Sequence, residues 1–168
     1  MALIVEDGTG DDPTANSYAT LVDLKAYNTD RGRVTYGTDP ELEAAAILAV
    51  DYIQSLESNM LGFRTYGQTQ PLAFPRTDII IENEYIDADI IPTAIIYAQA
   101  ELMYQIRQGV IPMQTITTAN VKRKKIGPLE TEWFAGGVPS QPTMPAVMAW
   151  LGPFMIGGSI QHMRVVRV

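Results

Sequence analysis

The sequence predicts a mainly α protein, a small bundle of three to four helices with a protruding β-hairpin and short terminal strands. Two segments, beginning near Asp39 and near Pro92, repeat apolar residues at helical spacing over several turns. Residues 121–134, VKRKKIGPLETEWF, divide into two short arms about a Gly-Pro pair, the pattern of a tight hairpin. Between the two helices, Leu61–Asp78 carries Gly and Pro residues that interrupt any regular pattern.

Taken in order, Leu3–Val5 is a short apolar run ended by the acidic, glycine-rich stretch Glu6–Asp12, which predicts a terminal strand and a loop. Ser17 is placed to cap a first helix carrying Leu21, Leu24 and Tyr27 on one stripe and closing near Gly32. For the second helix, Asp39 can cap and Pro40 suits the first position. Glu41 and Glu43 favour the positive end of its dipole. Leu42, Ala46, Ala49, Val50, Ile53 and Leu56 form its core face. Leu61–Asp78 is broken by Gly62, Gly67, Pro71 and Pro75, yet Phe63, Tyr66 and Phe74 suit a segment wrapped on an apolar surface. Ile79–Ile81 reads as a short strand. A third helix starts near Pro92, with Ile95, Ile96, Leu102, Met103 and Ile106 on a stripe and Gly109 as its stop. Ala94, Ala98 and Ala100 make it apolar on most sides, as the centre of a bundle requires. Pro142 and Pro145 flank a last helix with Val147, Met148, Trp150 and Leu151, broken at Gly152-Pro153. The segment 161–168 alternates and reads as a C-terminal strand.

A chain of 168 residues is expected to form one domain, here 1–168 with a hairpin arm at 121–134, and to bury about two-thirds of its unfolded surface. Its 46% hydrophobic content argues for folding and against disorder. No apolar run approaches the roughly 18 residues of a membrane span, and the N-terminus lacks the basic flank of a secretory signal. Zero cysteines exclude disulfides, thiolate metal sites and a cysteine nucleophile, consistent with a reducing cytosol or a particle assembled there. The net charge of −7 argues against general DNA coating.

Against that balance, Lys122, Arg123, Lys124 and Lys125 pack four of the 12 basic residues into one run. With Gly127 and Pro128 as loop residues, the register opposes Ile126 to Leu129, Lys125 to Glu130, Lys124 to Thr131, Arg123 to Glu132 and Lys122 to Trp133. Alternation puts the two opposed charge pairs on one face, each contributing ~0.2–1 kcal/mol. Lys124 alone has no obvious partner. A two-stranded ribbon is marginal in isolation. It is therefore expected to lean on the body or a neighbouring subunit, with Lys122 and Lys124 as the candidates for DNA contact.

Other chemistry is sparse. The single histidine, His162, has no nucleophile or second ligand nearby in sequence. Asp7–Asp12 resembles a calcium loop superficially, but the twelfth position is Tyr18 where a bidentate glutamate belongs. Gly8-Thr9-Gly10 is too short for a dinucleotide fingerprint. Glu82, Glu84, Asp87 and Asp89 read as a solvated acidic approach to the third helix, with a divalent metal site as the minority alternative. No catalytic residue, cofactor site or metal site is expected, and the protein is read as non-enzymatic.

Several motifs share an order with one known family. They are ALIVEDGTG…ANSYAT at the start, Gly62-Phe63-Arg64 followed by Gln70–Arg76 (QPLAFPR), Ile91-Pro92 before the third helix, VKRKKIGPLETEW, and the terminal MRVVRV. In that order they resemble a tailed-bacteriophage family of DnaT-like single-stranded-DNA-binding proteins, over nearly the whole chain. The resemblance implies two alternatives. One is a single-stranded-DNA-binding replication accessory protein. The other is a head–tail adaptor, a connector bound below the portal as a twelve-subunit ring.

The adaptor is the favoured expectation at this point, since short helices with extended arms suit a subunit that needs neighbours. An acidic channel would also let DNA pass without sticking. On this expectation the protein sits in the virion neck after assembly in the host cytoplasm. Its partners are the portal protein, neighbouring adaptor subunits in a dodecameric ring, a tail-side connector or tail-terminator protein, and DNA passing through; no membrane is involved. The expected subunit and portal contacts are Lys122, Arg123, Lys124, Lys125, Glu130, Glu132, Trp133, Arg164, Val166, Arg167 and Val168.

Overall fold

Four α-helices are formed among the residues that the computed structural model describes, which are 2–10, 12–114, 123–126, 129–132 and 144–157. They are α1 (Leu21–Thr29), α2 (Asp39–Ser55), α3 (Thr93–Arg107) and α4 (Pro145–Leu151). Three antiparallel pairs of short strands accompany them: β1 (Phe63–Arg64) with β2 (Arg76–Thr77), β3 (Ile80–Ile81) with β4 (Glu84–Tyr85), and β5 (Arg123–Ile126) with β6 (Leu129–Glu132). The protein is mainly helical, with small hairpins. It divides into two compact units, Met1–Val110 with Met144–Val168, and Ile111–Thr143.

In the larger unit α3 touches α1, α2 and α4. Ala46 and Ala49 on α2 and Ala98 on α3 are fully buried, and side chains this small let two helix backbones approach closely. Around them lie Leu42, Val50, Ile53, Ile95, Leu102, Met103, Val147 and Leu151, all buried. The centre of α3 is not purely apolar. Buried Gln99 donates to Ser17 Oγ (2.8 Å) and Ala46 O (3.2 Å) and accepts from Tyr18 N (3.0 Å), so one amide ties three segments together.

Some helix boundaries differ from the sequence reading. The cap of α1 is Thr20, whose hydroxyl accepts from Asp23 N (3.2 Å), because Ser17 is drawn into the core by Gln99. The helix ends at Thr29, before Gly32. For α2 the cap is Thr38: its N–H and hydroxyl both donate to the Glu41 carboxylate (2.7 and 3.0 Å). Asp39 is the first helical residue and pairs instead with Lys25. Leu3–Val5 does not form a strand; Val5 makes a single parallel bridge to Ser17. The proposed strand at 161–168 lies outside the described residues.

The irregular stretch 61–77 is held by a buried arginine. Arg76, 5% exposed, donates to Leu61 O and Gly62 O (both 2.7 Å), to Ala73 O (3.3 Å) and to Glu57 (3.3 Å). Arg64 forms a two-pronged bond to the same Glu57 (2.6 and 2.5 Å). The clasp presses Leu72, Ala73, Phe74 and Ile79 onto the core. Phe63 and Tyr66, expected to join that surface, stay exposed instead. β3 and β4 turn through Glu82 and Asn83, both in the left-handed region (φ 54° and 69°), so the acidic stretch is partly hairpin.

Candidate nucleic-acid interface

The ribbon β5–β6 belongs to the smaller unit. Its register opposes Arg123 to Glu132, Lys124 to Thr131, Lys125 to Glu130 and Ile126 to Leu129, as the sequence predicted. Positions two apart in a strand share a face. Arg123 and Lys125 therefore share one face with the two glutamate positions, while Lys124 shares the other with Ile126, Leu129 and Thr131. Lys122, Trp133, Arg164, Val166, Arg167, Val168 and His162 lie outside the described residues.

Charge is distributed very unevenly along the chain. Residues 1–114 hold 6 basic and 17 acidic residues, a net of −11; residues 115–168 hold 6 basic and 2 acidic, a net of +4. Half of all cations thus fall in the last 54 positions, where only Glu130 and Glu132 offset them. Sequence reading had singled out the run at 122–125 without the wider segregation, which a count by segment reveals.

Ion pairs make the contrast sharper. Lys25 pairs with Asp39, Arg33 with Glu101, Arg64 and Arg76 with Glu57, and Arg107 with Glu41. These pairings occupy five of the six cations in residues 1–114. The Arg64 hydrogen bonds, with help from Arg76, hold the Glu57 carboxyl below its ordinary pKa. The partners of Glu57 are Arg64 and Arg76, placed by the fold of 57–77. Only the recurrence of arginine at 64 and 76 in an otherwise cation-poor segment hinted at this.

The acidic stretches offer no phosphate contact. Glu82, Glu84, Asp87 and Asp89 are all exposed. Asp7 and Asp12 each turn a carboxylate onto a threonine two residues on, accepting from its backbone N–H and hydroxyl. Those bonds lower both carboxyl pKa values. Glu6 is buried and accepts from Gly8 N (3.0 Å) and Gly10 N (2.9 Å), which closes the loop from within. Among the described residues no three His, Cys, Asp or Glu side chains converge in a way that could hold a metal ion. No helix among them is long and apolar enough to cross a membrane.

A family model described as "Putative DnaT-like ssDNA binding protein" matches residues 1–168. Comparison with curated proteins and with solved structures finds no match. The whole-length family match overturns the favoured expectation of a head–tail adaptor: the family is described by single-stranded DNA binding, the role ranked second on sequence. The acidic composition that weighed toward a connector is an average over two oppositely charged segments.

Proposed function

Since the chain belongs to the family of DnaT-like ssDNA-binding proteins, we propose that it binds single-stranded DNA, as an accessory to DNA replication, through its basic hairpin. The observation that carries this reading is the charge on residues 115–168, where 6 cations face only 2 acidic residues. The hairpin register adds selectivity within that segment. Lys124 stands opposite Thr131, so no opposed acid offsets its charge, whereas Lys125 and Arg123 stand opposite Glu130 and Glu132. Lys122 adjoins the strand in sequence and adds a further charge to the run. Lys122 and Lys124 are accordingly assigned to phosphates, and Arg123 and Lys125 chiefly to holding the register.

Binding of this kind is driven by release of counterions from the phosphates and needs no sequence readout. A flexible strand can follow a short ribbon, while the acidic remainder of the chain repels a rigid, more densely charged duplex. The role is that of a binding protein, with no cofactor and no bond made or broken.

The test is fluorescence anisotropy with labelled oligo(dT) and a labelled duplex of equal length, at rising salt. Oligo(dT) is expected to bind more tightly at low salt. The logarithm of its affinity should fall by about 0.7 per phosphate contact for each decade of salt, so roughly 1.4 for Lys122 and Lys124 together. Failure to bind oligo(dT) at low salt, or binding indifferent to salt, would refute the proposal.

A further inference from the structure

Single-strand binders combine cations with aromatic rings on which bases stack. The larger unit brings the two together in one place. Arg31 is the only Lys or Arg of residues 2–114 that, among the described residues, has no carboxylate within ion-pair distance. Its guanidinium lies 3.5 Å from the centre of the Tyr27 ring and 5.4 Å from that of Tyr97, and it donates to Tyr27 O (2.9 Å). Tyr97 packs on Trp150 of α4, with ring centres 5.1 Å apart, and the Trp150 indole N–H donates to the Tyr27 hydroxyl (3.1 Å).

The loop after α1 continues this pattern along α3. Arg33 sits 5.0 Å from the Tyr104 ring while bonded to buried Glu101, one turn beyond Tyr97. Arg107 Nε donates to Tyr36 O (2.9 Å) and leaves the Tyr36 ring 65% exposed. Arginines and rings therefore alternate from Tyr97 to Arg107, over about 15 Å of helix. Tyr97, Tyr104 and Trp150 are half-buried, short of the full burial of the core.

We infer that this Arg–aromatic track, centred on Arg31, Tyr97 and Trp150, is a second contact for single-stranded DNA, taking bases by stacking where the hairpin takes phosphates. The inference rests on the single-strand reading above and deepens it. The planar guanidinium of Arg31, already over the Tyr27 ring, offers a flat cationic surface on which a base can stack, with spare N–H groups for a phosphate. Lysine keeps the charge and lacks the plane. The acidic β3–β4 hairpin has exposed Ile80 and Tyr85 as well, but its carboxylates would repel the phosphates that accompany any base.

Photocrosslinking of the full, unaltered chain tests this. The probe is oligo(dT) carrying 5-iododeoxyuridine, with adducts mapped by mass spectrometry alongside anisotropy of the same oligonucleotide. Adducts are expected on Tyr36, Tyr97, Tyr104 or Trp150. Tyr36→Ala, at an exposed ring, should weaken affinity about fivefold or more. Arg31→Ala should lower the adduct yield on this track, and Arg31→Lys should restore it only in part. Binding with adducts on the basic run at 122–125 and none on Tyr36, Tyr97, Tyr104 or Trp150 would overturn the inference and leave the hairpin proposal standing. No binding at low salt would defeat both.

Discussion

Arg76 holds the irregular stretch 61–77 together, because one guanidinium satisfies three backbone carbonyls and Glu57 while almost fully buried. Arg76→Ala removes all four partners at once and is expected to cost about 3–5 kcal/mol, read by urea or thermal unfolding. Glu57 gives the same clasp a pH dependence. Its pKa is depressed by Arg64 and Arg76, so its contribution to stability is present above the unfolded-state value and disappears as pH falls through the folded one. Unfolding midpoints should therefore drop below about pH 4.3, and Glu57→Gln should flatten that drop. In the hairpin, the register separates two adjacent lysines. Lys124→Ala should reduce the salt slope of oligo(dT) binding by about 0.7, and Lys125→Ala, opposite Glu130, by clearly less. Equal effects would contradict the division of the ribbon into a phosphate face and a register face.

Elements follow from local rules where the rules are strong, and depart where a distant residue intervenes. The α2 and α3 helices were legible from spacing because each carries an apolar stripe over more than three turns. The cap of α1 was not legible. Ser17 has the right chemistry, but Gln99, 82 residues away, takes its hydroxyl, and Thr20 caps in its place. The four described pairs of the hairpin register were legible, since opposite charges and the Gly-Pro pair in the sequence select the same pairing; Lys122 opposite Trp133 lies outside the described residues. The β1–β2 pair was not, because two-residue strands carry no periodicity and owe their position to Arg76. Gly62 shows how tightly that region closes: its φ is +67°, and a Cβ there would overlap the Thr77 carbonyl. Gly62→Ala is expected to destabilise by more than ~1 kcal/mol, whereas Gly32→Ala, also at positive φ but in open space, should cost only about 1 kcal/mol. Thermal unfolding of the two variants side by side checks the difference.

For the molecule as a whole, segregation of charge matters more than its total. A net of −7 suggested a protein that avoids DNA, yet the same sequence holds a +4 segment next to a −11 segment. The acidic side of that division fits a segment, 2–114, in which Arg31 is the one Lys or Arg not committed to an ion pair among the described residues. The candidate site was therefore half legible: the basic run stood out, but the arginine–tyrosine track along α3 joins residues 31–36 to 97–107 and 150, and no sequence window contains it. The most direct measurement of the central claim is oligo(dT) affinity against salt for the unaltered chain and for a variant with Lys122, Arg123, Lys124 and Lys125 all changed to Ala. The expected result is low-salt binding by the unaltered chain, with an affinity loss of at least tenfold and a shallower salt slope in the variant. Undiminished affinity and slope in a variant that unfolds at the same temperature would contradict it.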